Sequence, residues 1–228
     1  MIYTIKVNKM SAEKEILKAL VTMNIGGCLK VTGIALYKNK ENGNLFVSMP
    51  KYKSNEINEN GNPIYKDVCN PINAALRKDI TERIVKEYNN SDVQEPESKE
   101  VNKPKVSVKV VPYSREGSTI KGYAKIYIDD SFVINNVSIH QRKNGLGVSM
   151  PSYKTKQVGD DGKPIYQEYC YPITREFREY LYGMVLESLE SAISQNDRNF
   201  EENCNRISEK DDIPEPVLNE DNLPSFLK

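Results

Sequence analysis

Val47-Ser48-Met49-Pro50-Lys51-Tyr52-Lys53 recurs 101 residues later as Val148-Ser149-Met150-Pro151-Ser152-Tyr153-Lys154. The match continues through Gly61, Pro63, Ile64 and Tyr65 against Gly162, Pro164, Ile165 and Tyr166. It ends on Cys69, Pro71 and Ile72 against Cys170, Pro172 and Ile173, with half of the positions from Leu45 to Ile72 identical. Upstream, Leu29–Ile34 aligns with Phe132–Val137 at a spacing of 103, so the first copy carries two extra loop residues near Asn42. Self-similarity at a fixed period marks a duplicated structural unit. Four segments follow: copy one over 1–90, a polar linker over 91–104, copy two over 105–192, and an acidic C-terminal extension over 193–228. The extension carries Pro214, Pro216 and Pro224 among many acids, which predicts a helical start and a disordered end.

Each copy predicts the same elements. Val106, Val108 and Val110 alternate with Ser107 and Lys109 as in a half-buried strand, with Ile2–Val7 as the counterpart. Tyr123–Ile128 and Phe132–Ile139 read as strands joined by a tight turn at Asp129-Asp130, where copy one has Gly26-Gly27. Asn60-Gly61 and Asp161-Gly162 mark a second hairpin. Helices are expected after Pro71 and Pro172, N-capped by Asn73 and Thr174. Ile80, Ile84 and Tyr88 form the apolar face of the first, and Phe177, Tyr180, Leu181, Met184, Val185 and Leu189 that of the second. The fold class is α+β: two tandem copies of an antiparallel four- to five-stranded sheet followed by a C-terminal helix.

Hydrophobic residues are 38% of the 228 and charged residues 28%, so apolar material is sparse. No run approaches the ~18 apolar residues of a membrane span, and the expectation is a cytoplasmic protein without membrane contact. Cys28, Cys69, Cys170 and Cys204 form no C-x-x-C pair, which excludes a zinc knuckle or thioredoxin-type motif. Cys69 and Cys170 share one repeat position and read as small buried hydrophobes, as do Met49 and Met150. His140 is the single histidine, so a Ser–His or Cys–His dyad would depend on it; beside basic residues it reads as a solvated side chain. No cofactor is expected.

Asp130-Ser131-Phe132-Val133-Ile134, Asn144-Gly145-Leu146-Gly147-Val148-Ser149-Met150-Pro151-Ser152-Tyr153-Lys154 and Tyr171-Pro172-Ile173 together resemble the stage V sporulation protein G (SpoVG, septation regulator) family. That family carries a D-x-x-F-V strand, an N-G-L-F-V-A-M-P-S-K segment and an H-P-I leading into a helix. Copy one matches through Asn44–Pro50 and Asn70–Asn73, with divergent early strands. The resemblance implies a small non-enzymatic DNA- or RNA-binding regulator that works as a homodimer. Two copies in one chain are then expected to dock as an intrachain pseudo-dimer, at an effective concentration of about the mM scale. Position by position, the family's M-P-S-K lysine falls on Tyr52 and Tyr153, with Lys53 and Lys154 one place later. Its H-P-I histidine is replaced by Asn70 and Tyr171. The early helix arginine matches Arg77 and Arg178, and the basic residue beside it is Lys78 in copy one but Glu179 in copy two.

Net charge is zero, with 32 Lys and Arg against 32 Asp and Glu, and a neutral total argues against phosphate neutralisation. The distribution is uneven: residues 1–92 are net +4, 93–190 net +1 and 191–228 net −5. Lys51 with Lys53, and Lys154 with Lys156, each point to one side of an extended segment. Arg142-Lys143 sits at the other end of the Met-Pro strand. With Arg77, Lys78 and Arg178 these are the candidate nucleic-acid contacts; equally, they are edge-strand charges that block aggregation. Tyr52, Tyr65, Tyr153 and Tyr166 either stack on unpaired bases or pack on the sheet, and their place beside core positions of a hairpin favours packing.

Three functions compete. A nucleic-acid-binding regulator predicts steep salt dependence. A protein-interaction adaptor would use sheet edges or the tail, where Glu220-Asp221-Asn222-Leu223-Pro224-Ser225-Phe226-Leu227 is loosely similar to the acidic tips of bacterial single-stranded-DNA-binding proteins. That tip either recruits a protein partner or folds back on a basic face. An enzyme would need acid pairs such as Asp129-Asp130 or Asp160-Asp161, and turn chemistry explains these better.

Overall fold

Leu29–Lys38 (β3) and Phe132–Arg142 (β10) are the longest strands, and each is served along its outer edge by two different partners. In the computed structural model, which describes residues 1–11, 16–90 and 101–208 with side chains through residue 195, Tyr3–Lys9 (β1) pairs Leu17–Ile25 (β2), which pairs β3. Leu45–Ser48 (β4) covers Ala35–Lys38 of β3. Lys51–Ile57 (β5) and Pro63–Asp67 (β6) form a separate two-stranded ribbon. Cys69–Pro71 (β7) precedes helix Ala74–Asn89 (α1). Copy two repeats the order with Val106–Pro112 (β8), Ile120–Ile128 (β9), β10, Gly145–Ser149 (β11), the ribbon Ser152–Val158 (β12) with Pro164–Glu168 (β13), Cys170–Pro172 (β14) and Arg175–Ser208 (α2). All ladders are antiparallel, as the α+β reading expects.

The remaining stretch of each long strand is paired by the other copy. β14 lies on β3 with Cys170 opposite Val31 and Pro172 opposite Leu29. β7 lies on β10 with Cys69 opposite Ile134 and Pro71 opposite Phe132. Equivalent hydrogen bonds extend both junctions: Thr32 N donates to Tyr169 O at 2.7 Å and Asn135 N to Val68 O at 2.8 Å. Ile173 N donates to Cys28 O and Ile72 N to Ser131 O, both at 2.8 Å. Each long strand changes partner at a residue with positive φ, Gly33 (+77°) in copy one and Asn136 (+57°) in copy two. Glycine and asparagine tolerate that region best, and the irregularity lets one strand face two partners.

Each Met-Pro segment forms two strands, β4 then β5 in copy one and β11 then β12 in copy two. Pro50 and Pro151 end pairing with the main sheet, because proline has no N–H to donate, and the chain leaves as a ribbon. The turns form as expected: Gly26, Gly27, Asp129 and Asp130 all have positive φ. Asp129 Oδ1 further accepts from Lys105 N at 2.8 Å. The helix caps form too, with Asn73 Oδ1 accepting from Leu76 N at 2.7 Å and Thr174 Oγ1 from Phe177 N at 3.2 Å.

Ile80 and Ile84 of α1, and Phe177, Leu181, Val185 and Leu189 of α2, are buried in one continuous core with the inward faces of both sheets. Met49, Met150, Cys69 and Cys170 lie within it. Burial and the neighbouring Cys170 thiol push the Cys69 thiol well above its ordinary range, which makes it a poor nucleophile. The chain divides into a compact unit over Met1–Ala192, holding both copies, and a second over Ile193–Lys228. Residues 91–100 of the linker and the acidic tip at 220–227 lie outside the described residues.

Two outcomes are expected. A Cβ on Gly26, at φ +58°, would meet Asn102 O at 2.2 Å, so Gly26→Ala lowers unfolding free energy by about 2 kcal/mol or more in urea melts. Residues 1–90 and 104–192, expressed separately, each lack the strand the other supplies. Neither gives a cooperative monomeric melt alone, and mixing them restores one; two stable, non-associating monomers would refute the exchange.

Candidate nucleic-acid interface

The ribbons alternate polar residues on both faces: Lys-Tyr-Lys-Ser-Asn-Glu-Ile in β5 and Ser-Tyr-Lys-Thr-Lys-Gln-Val in β12. A strand with no wholly apolar face gains little by joining a core, so both ribbons stay largely exposed. In β5–β6, Lys51 opposes Asp67 and Lys53 opposes Tyr65 on one face, with Tyr52 opposite Lys66 on the other. In β12–β13, Ser152 opposes Glu168, Lys154 opposes Tyr166, and Tyr153 opposes Gln167.

The nine candidate cations divide by what they already hold. Lys51 Nζ lies 3.9 Å from Asp67 and Lys78 Nζ 3.7 Å from Glu82. Arg77 donates to Pro71 O at 3.1 Å and Arg178 to Pro172 O at 3.2 Å. These two arginines, at equivalent positions, close the ends of the exchanged strands and so have a structural task that the sequence did not reveal. Arg142 donates to Ser149 Oγ at 3.1 Å. Lys53, Lys143, Lys154 and Lys156 are exposed and have no ion pair among the described residues. Three of these four are on the ribbons. Glu179, which replaces the basic residue of copy one, is engaged by Arg175 at 2.7 Å.

Two aromatic readings change. Tyr65 and Tyr166 are 59% and 61% exposed rather than packed on a sheet. Tyr153 leans on Tyr169, ring centroids 4.7 Å apart, and its hydroxyl donates to Gln167 Oε1 at 2.9 Å. The missed signal was the polarity of β5 and β12, which leaves the partner strand no core to face. His140 is not a freely solvated side chain either. It is half-buried in the wall of a cavity of about 350 Å³ that includes Tyr52, Val68, Asn136, Ser149 and Tyr169. Its Nε2 lies 2.8 Å from Ser138 Oγ. Among the described residues no carboxylate orients this ring, so the Ser–His pair lacks the third member of a hydrolytic triad. Among the same residues, no three His, Cys, Asp or Glu side chains gather as a metal site would need. No described helix is long and apolar enough to cross a membrane.

The SpoVG family profile matches the chain twice, over residues 1–90 and 104–191. A protein of Treponema denticola named for SpoVG and septation is 39% identical over 74 residues, covering 32% of this chain and 73% of that protein. A namesake from Clostridium beijerinckii is 31% identical over 88 residues, or 39% of this chain and 89% of its own. One from Archaeoglobus fulgidus is 32% identical over 75 residues, covering 33% and 81%.

The ribbon roots differ in charge between copies. Asp67 has Lys51 across the ribbon, whereas Glu168 faces Ser152. Burial raises the Glu168 carboxyl above its ordinary value, with Arg178 pulling it partly back. An acid whose folded pKa is raised holds its proton after the unfolded chain has released it, so stability falls as pH rises from about 4.5 through the folded value. Glu168→Gln therefore removes that fall, and thermal melts at pH 4 and pH 7 should show the variant at least as stable as the parent at the higher pH.

Proposed function

The chain belongs to the SpoVG family, carrying its domain twice, and we propose on that basis that it is a non-enzymatic DNA- or RNA-binding regulator acting in the cytoplasm. The observation that carries this reading is the placement of Lys53, Lys154 and Lys156, cations with no ion pair among the described residues, on two ribbons that form sheets separate from the main ones in equivalent positions. Uncompensated ammonium groups on a protruding element are what a phosphate backbone meets at least cost. Lys143, at the β10–β11 turn, adds a fourth. Arg142, Lys51, Lys78, Arg77 and Arg178 contribute less, since each already holds a protein partner. The reciprocal strand exchange supports treating the two copies as a pseudo-dimer within one chain, which would present two such ribbons together.

A second reading is favoured by the ribbon tips. Ile57 and Val158, at equivalent positions, are 70% and 63% exposed. Paired apolar tips suit a protein partner, so the alternative is an interaction adaptor on the same scaffold, with the acidic tail as a further docking segment.

Salt separates the two. With fluorescently labelled oligonucleotides, affinity should fall steeply between 50 and 200 mM salt. Replacing Lys53, Lys143, Lys154 and Lys156 together with alanine should flatten the log–log slope by about 0.7–0.9 per lysine that meets a phosphate. No binding to any DNA or RNA probe at 50 mM salt would defeat the nucleic-acid reading and leave the adaptor.

A further inference from the structure

Tyr65 and Tyr166 occupy the same repeat position, and both rings are left in water. Tyrosine more often lies half-buried, and here the exposure occurs twice. Each ring is directly across its ribbon from a lysine with no ion pair among the described residues, Lys53 in one copy and Lys154 in the other. Directly opposed residues of an antiparallel pair point to the same side. Each ribbon thus presents one aromatic face and one ammonium together. Each ribbon touches a main sheet only at its root, where Asn135 Nδ2 donates to Asp67 O and Thr32 Oγ1 to Glu168 O, and neither forms a ladder with one, so the face is not shielded by a neighbouring strand.

We propose that this face binds single-stranded nucleic acid, with the Tyr65 and Tyr166 rings stacking on unpaired bases and Lys53 and Lys154 meeting the adjoining phosphates. The proposal rests on the nucleic-acid reading above and narrows its substrate class. Stacking on a protein ring needs a base whose π-face is free, which a duplex interior does not offer. A two-stranded ribbon can also enter a major groove, but these ribbons carry acids towards their tips. Glu59 lies there in copy one and Asp160 in copy two, beside Glu56 and Asp161, which hold Lys66 and Lys163. A tip pushed between two phosphate rows would bring those carboxylates against like charge. A single strand crossing the ribbon nearer its root meets Lys53 with Tyr65, or Lys154 with Tyr166, and avoids the tip. Recurrence in both copies gives the chain two such platforms.

The test uses the full chain with a labelled 20-nucleotide single-stranded DNA, an RNA of the same sequence and the matching duplex DNA. Fluorescence anisotropy should show a single-stranded probe bound at least tenfold tighter than the duplex. Tyr65→Ala and Tyr166→Ala should each weaken single-strand binding about tenfold, within the range of one base–aromatic stack, and leave duplex binding unchanged. Tyr65→Phe and Tyr166→Phe keep the ring and should retain affinity. Because both side chains are exposed, melting temperatures should match the parent. Duplex bound as tightly as single strand, or single-strand affinity unmoved by either alanine, overturns this proposal while the nucleic-acid reading stands. Loss of affinity in the phenylalanine variants also overturns it, since a hydroxyl contact would then be responsible. Binding to none of the three probes overturns both.

Discussion

The inner stretch of β3, Leu29–Val31, has an edge of backbone donors and acceptors that its own copy does not reach, and β14 of the other copy supplies the missing partner. β7 does the same for Phe132–Ile134 of β10. An unpaired edge inside a core would leave buried polar groups unsatisfied, at a cost comparable to a lost hydrogen bond for each. Every other feature is arranged around meeting that requirement twice. Gly33 and Asn136 break each long strand where it changes partner. Pro71 and Pro172 end the exchanged segments, and Arg77 and Arg178 take up the proline carbonyls.

The same requirement explains why the ribbons are free. Once β4 and β14 share the outer edge of β3, no length of that edge remains for β5 and β6. The chain between Pro50 and Cys69 must leave the sheet and return, and its sequence suits the excursion. Polar residues on both faces make the ribbon tolerant of solvent, so it can display lysine and tyrosine without weakening the core. The arginines at the helix starts are in the opposite situation: they are close to the exchange and are drawn into it. Cations of similar appearance in the sequence thus separate into those with a protein partner and those with no ion pair among the described residues.

Much of this was legible beforehand. The repeat, the hairpin turns at Gly26-Gly27 and Asp129-Asp130, the N-caps Asn73 and Thr174, and the core faces of both helices follow from local chemistry, and each forms as its residues dictate. The tyrosines did not follow. Tyr65 and Tyr166 flank the apolar Ile64 and Ile165, and strand periodicity alone puts every second residue against a core; whether a core is present on that side is not a local property. His140 fails for the same reason, because the cavity around it is assembled from residues as distant as Tyr52 and Tyr169.

Sequence alone determined the duplication, the element order and the family, because these depend on residue identities recurring at fixed spacing and on short-range backbone preferences. Tertiary structure decided which copy each Cys-x-Pro strand completes, which cations stay unpaired and which aromatic rings face water. Those outcomes depend on hydrogen-bonding edges and surfaces more than thirty residues apart in the chain, and no local pattern encodes which distant edge a three-residue strand will find.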